Sequence, residues 1–220
     1  RTVVFPVFSQ LQDDKEKLRQ SIRKVLTYTM VFTMPLLVTL IIIARPFVIL
    51  LLTEKWVPII HYLQLLCIVG ILYPIHAINI QILLAQGKSN LNFRLTVIIN
   101  SMRIINIILI HPFGIVFIII GEVFISFMAL FINTYYTKKF IDYGFFAQWR
   151  DIKQIILGCI VAGFVSYFVT NTLVDLWLLF ILVGVLTPLL FIIYQYLYNN
   201  KLFIEIVSLR ANYFNQEINH

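Results

Sequence analysis

Arg103 and Glu122 each interrupt a long apolar run, residues 93–110 and 113–136 respectively. An ionised guanidinium far from both ends of a membrane span costs at least about 2.5 kcal/mol by insertion scales, so such a residue needs a partner. Arg103 stands eight residues before His111, and Glu122 ten after Pro112. At a rise of about 1.5 Å per residue, they lie roughly 12 and 15 Å deep from the same end, close enough to pair. Two readings stay open at this point. The pair locks a helical hairpin, or Arg103 is an anion-binding cation lining a water-filled cavity, with Glu122 as its counter-ion or as a proton or sodium site.

The surroundings of this pair are polar on one side. At 100° per residue, Asn92, Thr96, Asn100, Arg103 and Asn106 fall within an arc of about 120°. On the next run Glu122, Ser126, Ala129 and Asn133 share a face. His61, Gln64, His76 and Asn79 form a similar arc in residues 59–84, where Pro74 is expected to kink the helix. The candidate cavity lining is therefore Thr96, Asn100, Arg103, Asn106, Glu122, His76 and Asn79. His76 is a candidate proton relay, or a histidine simply satisfied within a bundle. No HxxxH, HExxH or paired Cys/His spacing occurs, so no metal site is expected. Cys67 and Cys159 lie in apolar stretches and read as small hydrophobes. Gly158, Ala162 and Ser166, four residues apart, form a small-residue stripe for close helix packing. There is no GxSxG, phosphate-binding loop or dinucleotide glycine pattern, and neither an enzyme nor a cofactor is expected.

The elements that must position these residues follow from composition. Of 220 residues, 60% are hydrophobic and 12% charged, against about a quarter charged in soluble domains. That balance excludes a soluble enzyme and a disordered chain. At about 20 apolar residues per crossing, the length accommodates roughly six spans. The expected fold is an all-α polytopic transmembrane bundle with spans at 26–44, 59–84, 93–110, 113–136, 154–173 and 176–197. Arg45-Pro46, Pro58, Gly87-Lys88, His111-Pro112, Lys138-Lys139 and Asp175 punctuate them. Before the first span, residues 10–24 place Leu11, Leu18, Ile22 and Val25 near one face and acidic residues ahead of basic ones. They read as a short amphipathic helix at the membrane surface, with Ser9 as N-cap and Gln12 three residues on. The chain then divides into 1–24, the end of a preceding helix plus this cytoplasmic segment; 25–198, the bundle; and 199–220, a cytoplasmic tail. It begins without Met, inside an apolar segment, and is expected to be a fragment.

The net charge of +7 reflects topology rather than nucleic-acid binding. With Arg1 and Arg103 set aside, 13 of the 17 Lys and Arg fall in loops on one side and only Arg45 and Lys55 on the other. The richer side is expected to be cytoplasmic, both termini included. Trp56 and Trp177 then mark the outer interface and Trp149 the inner one.

The stretch Phe5-Pro6-Val7-Phe8-Ser9, followed by residues 12–19 (QDDKEKLR), resembles the corresponding stretch of bacterial polysaccharide flippases. These belong to the multidrug/oligosaccharidyl-lipid/polysaccharide exporter superfamily. The likeness continues through Pro35, the RPFVILLLTEKW run at 45–56, residues 63–74 and LLAQGKSNLNF at 83–93. The resemblance implies the C-terminal part of a two-lobed polypeptide whose lobes alternate access. It implies as cargo an undecaprenyl-pyrophosphate-linked oligosaccharide, moved across the bacterial cytoplasmic membrane for surface polysaccharide assembly. The implied partners are that lipid-linked substrate, membrane lipid and the N-terminal lobe of the same polypeptide. A drug or ion exporter of the same superfamily, and an integral membrane polysaccharide polymerase or ligase, are the competing readings.

Overall fold

The computed structural model describes residues 8–11, 14–170 and 175–198. Every regular element among them is helical: α1 (Lys15–Ile42), α2 (Ala44–Leu52), α3 (Ile60–Ala85), α4 (Ser89–Ile110), α5 (Ile115–Ile141), α6 (Phe145–Thr170) and α7 (Leu176–Tyr198). Short 3-10 turns at Glu54–Ile59 and His111–Phe113 precede α3 and α5. Six of the helices, all but α2, are long and apolar enough to cross a membrane, and all six expected spans are present.

α1 is the axis of the bundle. It packs against α3, α6 and α7, while α3 packs against α5, and α5 in turn carries α4 on its far side. The reason lies in a four-residue repeat: Leu18, Ile22, Leu26, Met30 and Met34 form one apolar stripe, and all are buried. They meet Leu72, Ile75, Ile78 and Ile82 of α3 and Ile152, Ile155 and Cys159 of α6 in one core. Each four-residue step advances about 40° round the helix, so the stripe winds gradually across α1 and can meet both α3 and α6.

The stripe also corrects the expected amphipathic surface helix. Residues 15–24 are not a separate element but the first turns of the spanning helix, continuous with it through Ile42. Burial of Leu18 and Ile22 against the core ties them to the bundle, and the helix runs on through Pro35, which removes one rung of the ladder well past this segment. The cap is Asp14, whose carboxylate accepts from the Lys17 backbone N–H at 3.1 Å; Ser9 lies in a preceding helical turn. Gln12, the end of the fifth expected span at 171–173 and the tail 199–220 lie outside the described residues.

Other boundaries follow local chemistry. α1 gives way to α2 just before Arg45-Pro46, because Pro46 has no N–H to continue the ladder. α3 ends at Gly87, whose φ of 68° lets its N–H and that of Lys88 return to the carbonyls of Leu84 and Leu83, a left-handed turn that suits glycine. The small-residue stripe of α6 performs as read. A Cβ on Gly158 would overlap the Tyr194 ring of α7, and Ser166 is buried one turn past Ala162, accepting from Thr187 of α7 at 2.8 Å. Trp56, Trp149 and Trp177 are all exposed.

Candidate functional site

α4 and α5 form an antiparallel hairpin that brings Arg103 and Glu122 to the same depth. Arg103 Nε lies 3.0 Å from Glu122 Oε1, so the depth arithmetic from the two sides of the turn holds. One contact clamps the hairpin close by. Asn106 donates through Nδ2 to the Ile118 carbonyl at 2.9 Å, and its amide lies where a Cβ on residue 121 would be. Gly121 is what allows the two helices to approach here.

The guanidinium is incompletely engaged. Nη1 donates to Asn100 Oδ1 at 3.3 Å, while Nη2 has no partner among the described residues. The buried Nε faces the carboxylate as an ion pair without a directed hydrogen bond. Arginine carries five N–H donors in a planar fork, so most of this fork is free. The side chains of Arg103 and Glu122 are 43% and 24% exposed, which places the pair on an open face of the bundle. Asn100 and Thr96 are exposed on the same helix. Among the described residues of α4 only Leu95 is buried; of its polar stripe, Arg103 and Asn106 turn to α5 while Thr96 and Asn100 stay exposed.

His76 of α3 closes the inner side of this cluster. Asn133 Nδ2 lies 3.4 Å from His76 Nδ1; an amide nitrogen can only donate, so Nδ1 accepts and the ring proton sits on Nε2. That Nε2 is buried without a hydrogen-bond partner among the described residues, and the ring lies against the Ser126 backbone. Ser126, Ala129 and Asn133 are all buried on the α5 face that meets α3. The structure thus gathers Arg103, Glu122 and Asn100 into one cluster, with His76 against α5 one turn past Glu122. Of the other predicted residues it brings Asn106 close, beside Gly121, but not Thr96. Asn106 serves the hairpin backbone and Thr96 lies further along α4. His61 is exposed, and Gln64 donates to the Ile41 carbonyl at 3.0 Å.

Asn79, one turn past His76, belongs to a second polar network that runs from there toward the other end of the bundle. Its Oδ1 accepts from Thr137 Oγ1 of α5 at 2.6 Å and from Gln148 Nε2 of α6 at 2.9 Å. Its Nδ2 donates to Gln148 Oε1 at 3.1 Å. Gln148 Nε2 also reaches the Tyr143 carbonyl at 3.2 Å. The Tyr143 hydroxyl donates to Asp151 Oδ2 at 2.8 Å, and Arg23 of α1 pairs with Asp151 Oδ1 at 3.0 Å. Burial, and then the Asp151 charge, push the Tyr143 hydroxyl well above its usual range, so it remains the donor. Sequence reading missed Thr137, Gln148, Tyr143, Asp151 and Arg23. The available signal was the α5 stripe, which continues one turn past Asn133 to Thr137, together with polar Gln148 one turn from Asp151. Among the described residues no three His, Cys, Asp or Glu side chains come together as a metal site.

Comparison with known proteins bears on part of the chain. Residues 1–61 match the family described as "Polysaccharide biosynthesis protein". The "Lipopolysaccharide biosynthesis protein WzxC" of Escherichia coli K12 is 38% identical over 95 residues, 43% of this chain and 19% of its own length. An "Uncharacterized membrane protein in cps region" of Klebsiella pneumoniae is 41% identical over 92 residues, 42% of this chain and 19% of its own. The "Teichuronic acid biosynthesis protein TuaB" of Bacillus subtilis is 30% identical over 91 residues, 41% and 19% respectively. Each match thus spans about a fifth of the relative. No solved structure matches the chain. The chain is a multi-pass helical membrane protein that, over the matched part, is similar to the bacterial polysaccharide biosynthesis family its sequence resembles.

Proposed function

We propose that this chain is the C-terminal part of a flippase that carries a lipid-linked oligosaccharide across the bacterial cytoplasmic membrane. The observation that carries the reading is the match of residues 1–61 to a polysaccharide biosynthesis family, together with similarity to relatives named for lipopolysaccharide and teichuronic acid biosynthesis. The cargo headgroup in this reading is undecaprenyl-pyrophosphate, an anion that a part-free guanidinium inside an apolar bundle would attract. Arg103 is then the contact for the phosphate groups, and Asn100 a hydrogen-bonding neighbour.

The remaining partner is an N-terminal lobe of the same polypeptide, facing the polar side of α4. Movement is a rocking of two lobes around the cavity, with the lipid tail left in the bilayer. The protein catalyses no bond making or breaking. Its basic ends, including Lys88, Lys138, Lys139, Arg150 and Lys153, lie in the cytoplasm, as does the cluster around Arg23.

Deletion of the gene in its bacterial host tests the reading. Lipid-linked oligosaccharide is expected to accumulate in the inner membrane while surface polysaccharide disappears. Unchanged levels of both would overturn it and favour a drug or ion exporter.

A further inference from the structure

Arg103 is not waiting empty. Its Nε faces the carboxylate of Glu122 at 3.0 Å, so an incoming anion meets a site already holding one. The pairing is loose in three respects. The Nε–H makes no directed hydrogen bond to the carboxylate, Nη2 has no partner among the described residues, and both side chains are part-exposed on the same open face. A bidentate pair in an apolar setting would be costly to separate, whereas a single off-line contact leaves room for exchange.

We propose that Glu122 is a built-in substitute for the anionic group of the cargo: its carboxylate occupies Arg103 in the empty protein, and a phosphate-type anion displaces it, so that anion binding and protonation of Glu122 are linked. This rests on the reading of Arg103 as an anion contact and adds a competitor to it. The arrangement supplies release as well as capture. A guanidinium buried alone would hold a polyanion tightly, while a tethered carboxylate at the same depth competes at high effective concentration. Protonating Glu122 removes the competitor and favours the loaded state; deprotonating it favours the empty one.

The charged group paired with Glu122 is Arg103 from α4, and the neighbouring titratable group is His76 from α3, whose ring lies against Ser126, one turn along α5. α6 meets α5 at the other end, through Phe131 and Phe145. His76 is therefore the one other group whose protonation would favour an anion here, and the experiment must separate it from Glu122.

The test is titration of the full-length protein in lipid nanodiscs with inorganic sulfate, which stays dianionic from pH 5 to 8, and with pyrophosphate. Wild-type affinity for sulfate is expected to rise as pH falls. Glu122→Gln is expected to bind at least about tenfold more tightly at pH 7.5 and to lose most of the pH dependence, while His76→Gln keeps it. Arg103→Gln is expected to bind neither anion, and the surface variant Lys139→Gln to behave as wild type. If Arg103→Gln binds normally, the reading of Arg103 as an anion contact falls. If Arg103→Gln fails to bind but Glu122→Gln binds more weakly than wild type, or the pH dependence disappears in His76→Gln alone, that reading stands and the substitute role of Glu122 falls. Should Glu122→Gln fail to fold, the wild-type and His76→Gln profiles decide: a flat wild-type profile overturns the proposal.

Discussion

Asp151 and Arg103 keep their charges in an apolar bundle by opposite means. Asp151 is 3% exposed, with its carboxylate shared between the Tyr143 hydroxyl and Arg23, whose own side chain is 61% exposed. An exposed partner contributes little because water and salt screen it, so Arg23→Ala is expected to cost under about 1 kcal/mol. Asp151→Ala strips the acceptor from a buried tyrosine hydroxyl and is expected to cost about 1–3 kcal/mol. Cys67 and Cys159 are buried free thiols, so the temperature at which a thiol-reactive dye labels the purified protein reads both variants. Equal losses would mean that Arg23 rather than Tyr143 is what Asp151 serves. At this scale the sequence was legible in one direction only. Arg103 announced itself because no soluble loop surrounds it, and its partner followed from distance to the turn. Gln148 and Asp151 stand among basic residues at a helix start, where polar side chains are ordinary, so their one-turn spacing is a weak signal that they turn inward.

The α4–α5 hairpin depends on a close approach between one asparagine and one glycine. Gly121→Ala is expected to push Asn106 off the Ile118 carbonyl and to lower the unfolding temperature. In an Asn106→Ala background the same substitution is expected to cost much less, because the obstructing amide is gone. Strict additivity of the two changes would refute the clash. Element placement was largely readable from apolar length and from Pro, Gly and charge at the edges, since each crossing must satisfy its backbone internally. The start of α1 was not. Its charged residues signalled a segment outside the bilayer, yet the four-residue stripe of Leu18, Ile22, Leu26 and Met30 runs through that boundary and packing decides the element.

Over the whole molecule, Lys and Arg gather at the end that holds the Asn79–Gln148–Asp151 network, and the Arg103 pair lies nearer the other. With the basic end in the cytoplasm, Trp56→Cys is expected to react with a membrane-impermeant thiol reagent on intact cells, and Lys139→Cys only after permeabilisation. The native thiols are buried and add little background. The reverse pattern would invert the topology. The bundle's overall architecture was legible because six apolar runs joined by short loops leave few arrangements; the order of helix contacts was not, because apolar faces alone do not say which neighbour they meet.

The outward position of α4 also bears on how the chain enters the bilayer during synthesis. It is the least apolar of the six crossings, carries Arg103 near its middle and buries little against the rest. Alone beside the translocon, such a segment would face lipid with an uncompensated cation, whereas α5, among the most apolar, brings Glu122 to the same level. The carboxylate is therefore placed to escort its neighbour, and the two helices are expected to partition as one hairpin once α5 has emerged from the ribosome.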